Sequence, residues 1–187
     1  MILLMAPRLI SAILISSIGL MYLFRMIMIL LLHPAMKMCI RDRMGIVYHA
    51  NYLLYFEDAR TAFLEAIGFP YRVIEEAGYL SPVVSFSVEY GEPLRYGETA
   101  VVRTRVVSSR PTKTVYAYEV FRKGEDPDVA KPCCTGRSTH CLVDATTFKP
   151  VSVKRAVPEL YARYGEVLEP DDAAAPSVRK NGERGVR

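Results

Sequence analysis

At 187 residues, 51% of them hydrophobic, the chain is long enough to bury one ordinary core, as a single domain or a small domain with tails. The net charge is only +4, and the lysines and arginines form no basic run interleaved with aromatics, which argues against nucleic acid as a partner. The four cysteines, Cys39, Cys133, Cys134 and Cys141, have neither disulfide-framework spacing nor a CxxC knuckle, so reduced thiols, a cytoplasmic location and no metal centre are expected; His140 and Cys141 are strand neighbours that point to opposite faces.

Composition breaks near residue 44. All eight methionines precede Gly45, and no acidic residue occurs before Asp42. Leu9 to Phe24 is an uncharged apolar run, interrupted by Arg25 and resumed from Met26 to Leu32. A membrane helix needs about 20 apolar residues and a central arginine costs roughly 2 to 3 kcal/mol, so the segment is marginal as an anchor. As a signal peptide it has Arg8 as its charged start but no small-x-small cleavage site. The preferred reading is a third: Met38-Cys39-Ile40-Arg41-Asp42-Arg43 resembles the translation of a transposase adapter used in library preparation, which makes residues 1–43 an assembly artefact fused to a genuine domain at 44–168. Contact with the inner membrane is expected only if residues 1–37 are natural.

From Gly45 the pattern is that of an α+β unit. Asn51 is placed to cap a helix whose apolar set, Leu53, Leu54, Phe56, Ala59, Ala62, Phe63, Ala66 and Ile67, covers more than half its circumference. Gly68 supplies its C-terminal stop, with Pro70 beyond. Glu57, Asp58, Arg60, Thr61 and Glu65 form a narrow polar stripe, so the helix is expected to be buried by surrounding strands. After a short helical turn at Tyr71 to Ala77, Val84, Phe86, Val88 and Tyr90 alternate with Ser85, Ser87 and Glu89 as a half-buried strand. Thr99 to Ser109 and Thr114 to Lys123 read as a hairpin, Gly136 to Asp144 as one more strand, and Pro158 to Leu168 as a terminal helix. Strands that follow one helix in a run imply an antiparallel sheet curled around it. From Glu169 the composition is that of a disordered tail.

The string Gly45-Ile46-Val47-Tyr48-His49-Ala50-Asn51-Tyr52, followed by Tyr55-Phe56-Glu57, Ala59-Arg60 and Pro93-Leu94-Arg95-Tyr96-Gly97, resembles the 4-hydroxybenzoyl-CoA thioesterase-like family of hotdog-fold acyl-CoA thioesterases, in the branch associated with the Tol-Pal system. The resemblance implies one long buried helix wrapped by a curved antiparallel sheet, homodimers or homotetramers made by joining sheets, active sites at the dimer interface, and an acyl-CoA substrate with no separate cofactor. Relatives begin with a strand leading up to an aspartate. Residues 30–41 do not alternate and contain Pro34, so that strand is expected to be missing, or replaced by a poor edge.

Thioester hydrolysis needs an oxygen nucleophile and a donor for the developing oxyanion. By resemblance, Asp42, three residues before Gly45, is the nucleophile or general base, and the backbone N–H of His49 is the oxyanion donor, with Gly45, Tyr48 and Asn51 supporting the turn and the helix start. The His49 imidazole either holds the thioester or shuttles a proton. Glu57 and Asp58 are read as solvent or interface carboxylates. Arg103, Arg105, Arg110 and Lys113 are either contacts for the coenzyme A phosphates or a solvated sheet face, and Gly136, Arg137 and Ser138 border the pantetheine arm in many relatives. The expected activity is hydrolysis of a short-chain, medium-chain or aromatic acyl-CoA. The alternatives are a non-catalytic hotdog module that binds acyl-CoA or a protein, and a membrane-tethered thioesterase.

Overall fold

The computed structural model describes residues 45–169 together with the backbone of Ile29–Leu32. Asp42, the adapter-like string at 38–43 and the tail from residue 170 lie outside the described residues. The elements run β1 (Ile29–Leu32), α1 (Asn51–Ala66), α2 (Tyr71–Glu76), β2 (Tyr79–Leu80), β3 (Val83–Tyr90), β4 (Ala100–Arg110), β5 (Lys113–Arg122), β6 (Cys134–His140), β7 (Leu142–Asp144), β8 (Pro150–Val151), α3 (Val153–Ala156) and α4 (Pro158–Glu166). Five strands form an open antiparallel sheet in the order β1-β4-β5-β6-β3, and β2, β7 and β8 form a small second sheet.

The α+β expectation therefore holds, and of the two outcomes expected for the first strand the structure has the short edge. Ile29–Leu32 pairs with Ala100–Arg103, so four residues of the apolar segment occupy the edge beside β4 and end two positions before Pro34. A correction concerns Gly136 to Asp144. Cys141 leaves the ladder to donate its N–H to Pro82 O at 3.3 Å, and the chain passes from β6 in the large sheet to β7 in the small one.

Helix α1 lies against the sheet through Tyr52, Tyr55, Phe56, Ala59, Arg60, Phe63 and Leu64, which recur at three- and four-residue spacing along one face. The reading of a helix apolar over more than half its circumference is corrected here: Leu54 is 45% exposed and Ala66 is exposed, while Tyr52, Tyr55 and Arg60 turn inward. Phe56 stacks on Tyr118 with centroids 4.6 Å apart and on Phe86 at 6.1 Å, and Phe63 meets Tyr116 edge-on at 6.0 Å. Gly136 lies beneath that Phe56 ring, where a Cβ would sit 2.4 Å from a ring carbon. The strand therefore needs glycine where the aromatic stack comes closest.

The helix ends as its glycine predicts. Gly68 has φ +76, its N–H reaches Glu65 O at 3.0 Å, and the Phe69 N–H reaches Leu64 O at 2.9 Å, closing the last turn with both Phe69 and Leu64 buried. The β4–β5 hairpin pairs Arg110 with Lys113 around Pro111 and Thr112, as its sequence indicated. At the C-terminal side the Glu169 N–H donates to Val106 O at 2.9 Å, which ties the end of the described chain to β4.

Candidate active site

Two stretches far apart in sequence meet at the start of α1. Val47 N–H donates to Leu94 O at 2.8 Å, Tyr96 N–H donates to Gly45 O at 3.2 Å, and Ile46 bridges Arg95, so residues 45–47 lie antiparallel along 94–96. Gly45 takes φ +68, a left-handed conformation that costs other residues roughly 1 kcal/mol or more, and among the described residues a Cβ there would meet nothing within 4 Å. The requirement at Gly45 is conformational. Arg122 holds the 92–98 loop from behind: its guanidinium donates to Pro93 O at 3.1 Å and pairs with Glu98, Glu125 and Glu92.

From this paired segment the chain turns through Tyr48, His49 and Ala50 into α1. A backbone bond closes the turn, with Asn51 N–H donating to Tyr48 O at 2.9 Å and Ala50 in the αR conformation at the cap position. The expected side-chain cap by Asn51 is corrected: Asn51 is the first helical residue and makes no capping bond, because the cap position falls one residue earlier. Among the described residues no group accepts the His49 N–H. It stands at the N-terminal end of a 16-residue helix, where the backbone dipole favours negative charge.

An aromatic group surrounds that amide. The Tyr48 and His49 rings lie 4.2 Å apart, and Tyr90 approaches His49 at 6.3 Å and Tyr52 at 5.6 Å, both edge-on. Tyr90 O–H donates to His49 O at 3.1 Å, and Tyr52 Oη accepts the Leu94 N–H at 3.1 Å. Burial pushes the Tyr52 hydroxyl up to about 12, with the buried thiols Cys134 and Cys133 adding to the rise against the Leu94 bond, so it stays neutral. Tyr90, Tyr52 and Arg122 were not singled out from the sequence as site residues. Tyr90 had a signal: it continues the Phe86 and Val88 face of β3, and that face runs along α1 from Phe56 toward Tyr52.

Glu57 and Arg60 lie further along α1. Arg60 is only 3% exposed; its Nε donates to Glu57 Oε2 at 3.2 Å, its Nη2 donates to Glu57 Oε1, and its guanidinium lies 5.2 Å from the centre of the Tyr71 ring. Arg60 belongs to the narrow polar stripe, and a counterion one turn away and aromatic walls keep its charge inside. Burial works against the Glu57 carboxylate, but the hydrogen bonds and charge of Arg60 outweigh it and hold its pKa below the ordinary value. Nearby, Tyr118, Ser138 and His140 form a buried polar chain, with Tyr118 Oη and Ser138 Oγ 2.8 Å apart and Ser138 Oγ 2.8 Å from His140 Nε2.

Arg103, Arg105, Arg110 and Lys113 lie on β4, β5 and the hairpin between them. Arg103 pairs with Asp128 at 2.6 Å and faces Glu119, which Arg105 also approaches. Arg110 and Lys113 flank the hairpin turn. The registers align Tyr90 with Cys134 at one end of β6 and Thr114 with His140 at the other, so within one chain the hairpin is about 20 Å along the strands from Tyr90. Among the described residues no group of three histidine, cysteine or acidic side chains is arranged to hold a metal.

The model of the thioesterase-like superfamily matches residues 40–163. The chain belongs to the thioesterase-like superfamily. Its match spans both halves of the site, the 45–49 turn and the 94–96 segment on which it rests. Among its relatives, a putative acyl-CoA thioesterase of Bacillus subtilis, YneP, is 42% identical over 123 residues, covering 66% of this chain and 86% of that protein. The acyl-CoA thioester hydrolase YbgC of Escherichia coli is 30% identical over 79 residues, 42% of this chain and 59% of that protein. The crystal structure of DHNA-CoA thioesterase from Staphylococcus aureus superposes with a TM-score of 0.64 at 32% identity, covering 75% of this chain and 89% of that one. The expected hotdog architecture and the expected class, a thioester hydrolase, are those of its superfamily.

Proposed function

We propose that this protein hydrolyses the thioester of a short-chain, medium-chain or aromatic acyl-CoA, releasing the acid and coenzyme A. The observation that carries the reading is the His49 turn: an amide with no acceptor among the described residues, at the N-terminal end of α1, held on a paired segment within a superfamily match that begins before Asp42. In this mechanism the thioester carbonyl oxygen faces the His49 N–H, which stabilises charge as it develops. Asp42 either attacks the carbonyl, forming a mixed anhydride that water then hydrolyses, or activates water to attack directly; in both routes the C–S bond breaks and coenzyme A leaves as the thiolate, which takes up a proton. The His49 imidazole, at the same turn, either holds the thioester or shuttles a proton. No separate cofactor enters the proposal. Arg110 and Lys113 remain candidates for the phosphate end of coenzyme A, supported by their exposure at the hairpin.

A homodimer or larger homo-oligomer is part of the proposal. Among the described strands β3 has a neighbour on one side only, and it leaves Val83, Val84 and Tyr90 exposed, so a second copy adding at this edge would cover apolar surface beside the His49 turn. A cytoplasmic location is supported by Cys133, Cys134 and Cys141, all free thiols. Among the described residues no helix is long and apolar enough to cross a membrane.

The test is thiol release over a panel of acyl-CoA substrates. Wild type should turn over at least one, and Asp42→Ala should lose about 10²- to 10⁴-fold in kcat. Full activity in Asp42→Ala would remove Asp42 from the mechanism. No turnover across the panel with coenzyme A still bound would replace the enzyme by the non-catalytic binding module.

A further inference from the structure

We propose that Tyr90 is a positioning residue for the oxyanion-binding peptide: its hydroxyl, from the free edge of the sheet, fixes the backbone at His49. The inference rests on the thioesterase reading above and adds to it a residue outside the GIVYHANY motif.

An oxyanion donor works because it is held in place before charge develops, so whatever fixes its neighbouring peptides contributes to rate. Two carbonyls flank the His49 N–H. Tyr48 O accepts the Asn51 N–H at 2.9 Å, a turn bond available to almost any sequence. His49 O accepts the Tyr52 N–H at 3.4 Å, near the outer limit of a hydrogen bond, and the Tyr90 hydroxyl at 3.1 Å. The closer of the two bonds on that carbonyl therefore comes from a side chain. Asn51, the residue expected to cap the turn, makes no capping bond, which leaves Tyr90 the side-chain donor to this turn among the described residues.

Tyr90 is itself well placed to hold something still. Its backbone is laddered opposite Cys134, and its ring packs edge-on against both Tyr52 and His49. It is 51% exposed on the outer strand β3, and its hydroxyl has a defined acceptor in His49 O. Losing the hydroxyl leaves the ring contacts intact and releases only the carbonyl.

The experiment compares wild type with Tyr90→Phe on a substrate that wild type hydrolyses. Tyr90→Phe should lower kcat about tenfold, equivalent to about 1.4 kcal/mol, with KM within twofold and melting temperature within about 2 °C. A purely structural role would lower the melting temperature and leave kcat alone. In ¹⁵N–¹H spectra the Ala50 amide, which shares its peptide with the His49 carbonyl, should shift in Tyr90→Phe. An active wild type with Tyr90→Phe at full kcat, or an unmoved Ala50 resonance, overturns the role of Tyr90 and leaves the thioesterase reading standing. A wild type inactive over the whole panel refutes the thioesterase reading, and the catalytic role of Tyr90 falls with it.

Discussion

Acid should loosen this fold through one buried imidazole. His140 is 1% exposed, and its Nδ1 lies 3.3 Å from Ser81 O, which can only accept. Nδ1 therefore carries the proton, Nε2 accepts from the Ser138 hydroxyl at 2.8 Å, and Ser138 Oγ in turn accepts from Tyr118. That chain suits the neutral ring, and a second proton on Nε2 has to reverse it. Burial first, and then the Arg60 guanidinium, press the His140 pKa down from 6.5 to about 4, against smaller raising effects from Ser81 and Glu57. The native pKa lies below the unfolded one, so on acidification the unfolded chain takes up the proton first. The stabilising effect is complete above about pH 6.5 and is lost as pH falls toward 4. At about 1.4 kcal/mol per unit, the loss over that window is roughly 3 kcal/mol. Urea unfolding of wild type and His140→Asn at several values between pH 7.5 and 4 gives the measurement. Glu57 and the other carboxylates titrate in both proteins and largely cancel in the difference. Wild type minus variant should fall by roughly that amount across the window. A difference independent of pH would show that the core tolerates the imidazolium and that the hydrogen-bond directions drawn here are wrong.

Gly136→Ala should destabilise by about 1 to 3 kcal/mol in the same unfolding assay, because its Cβ meets the Phe56 ring and the stack on Tyr118 has to move; an unchanged midpoint would mean the ring yields freely. Gly45→Ala and Gly68→Ala both place a side chain at positive φ in open space, and each should cost about 1 kcal/mol or more. The two separate in activity: Gly68→Ala should keep wild-type kcat, while Gly45→Ala should lose it along with the geometry of the His49 turn. Equal kcat losses in both would mean that global stability, not the turn, sets the rate.

The hairpin, the alternation in β3 and the stop at Gly68 were legible because each rests on local chemistry: a turn, a period of two, a left-handed residue. The family motif was legible too, and it led to the His49 amide without revealing what holds it. What escaped were residues whose burial depends on partners distant in sequence. Arg60 looks like a surface residue until Tyr71 and Tyr116 close around its pairing with Glu57. The hydroxyls of Tyr52 and Tyr55 make their burial ambiguous in sequence, and for Leu54 hydrophobicity alone cannot tell a core face from one left open. The break at Cys141 was invisible because Leu142 to Asp144 continues an acceptable strand pattern; only the Pro82 carbonyl, brought alongside by β3, decides where the ladder ends. Tyr90 shows the same limit: its face could be read, but its acceptor, forty-one residues earlier, could not.

The short strand Ile29–Leu32 changes how a truncated protein should be made. Cutting the chain at residue 37 or 43, as the composition break invites, removes β1 along with the apolar run and strips the partner from Ala100–Arg103 of β4. The sheet would then present open backbone at both of its outer strands, and a preparation that precipitates would say more about new strand pairing between molecules than about membrane affinity. A cut at residue 28 keeps β1 in place while discarding most of the apolar residues. Of the possible shortened forms, that is the one whose behaviour in a fractionation reports on the N-terminal segment itself.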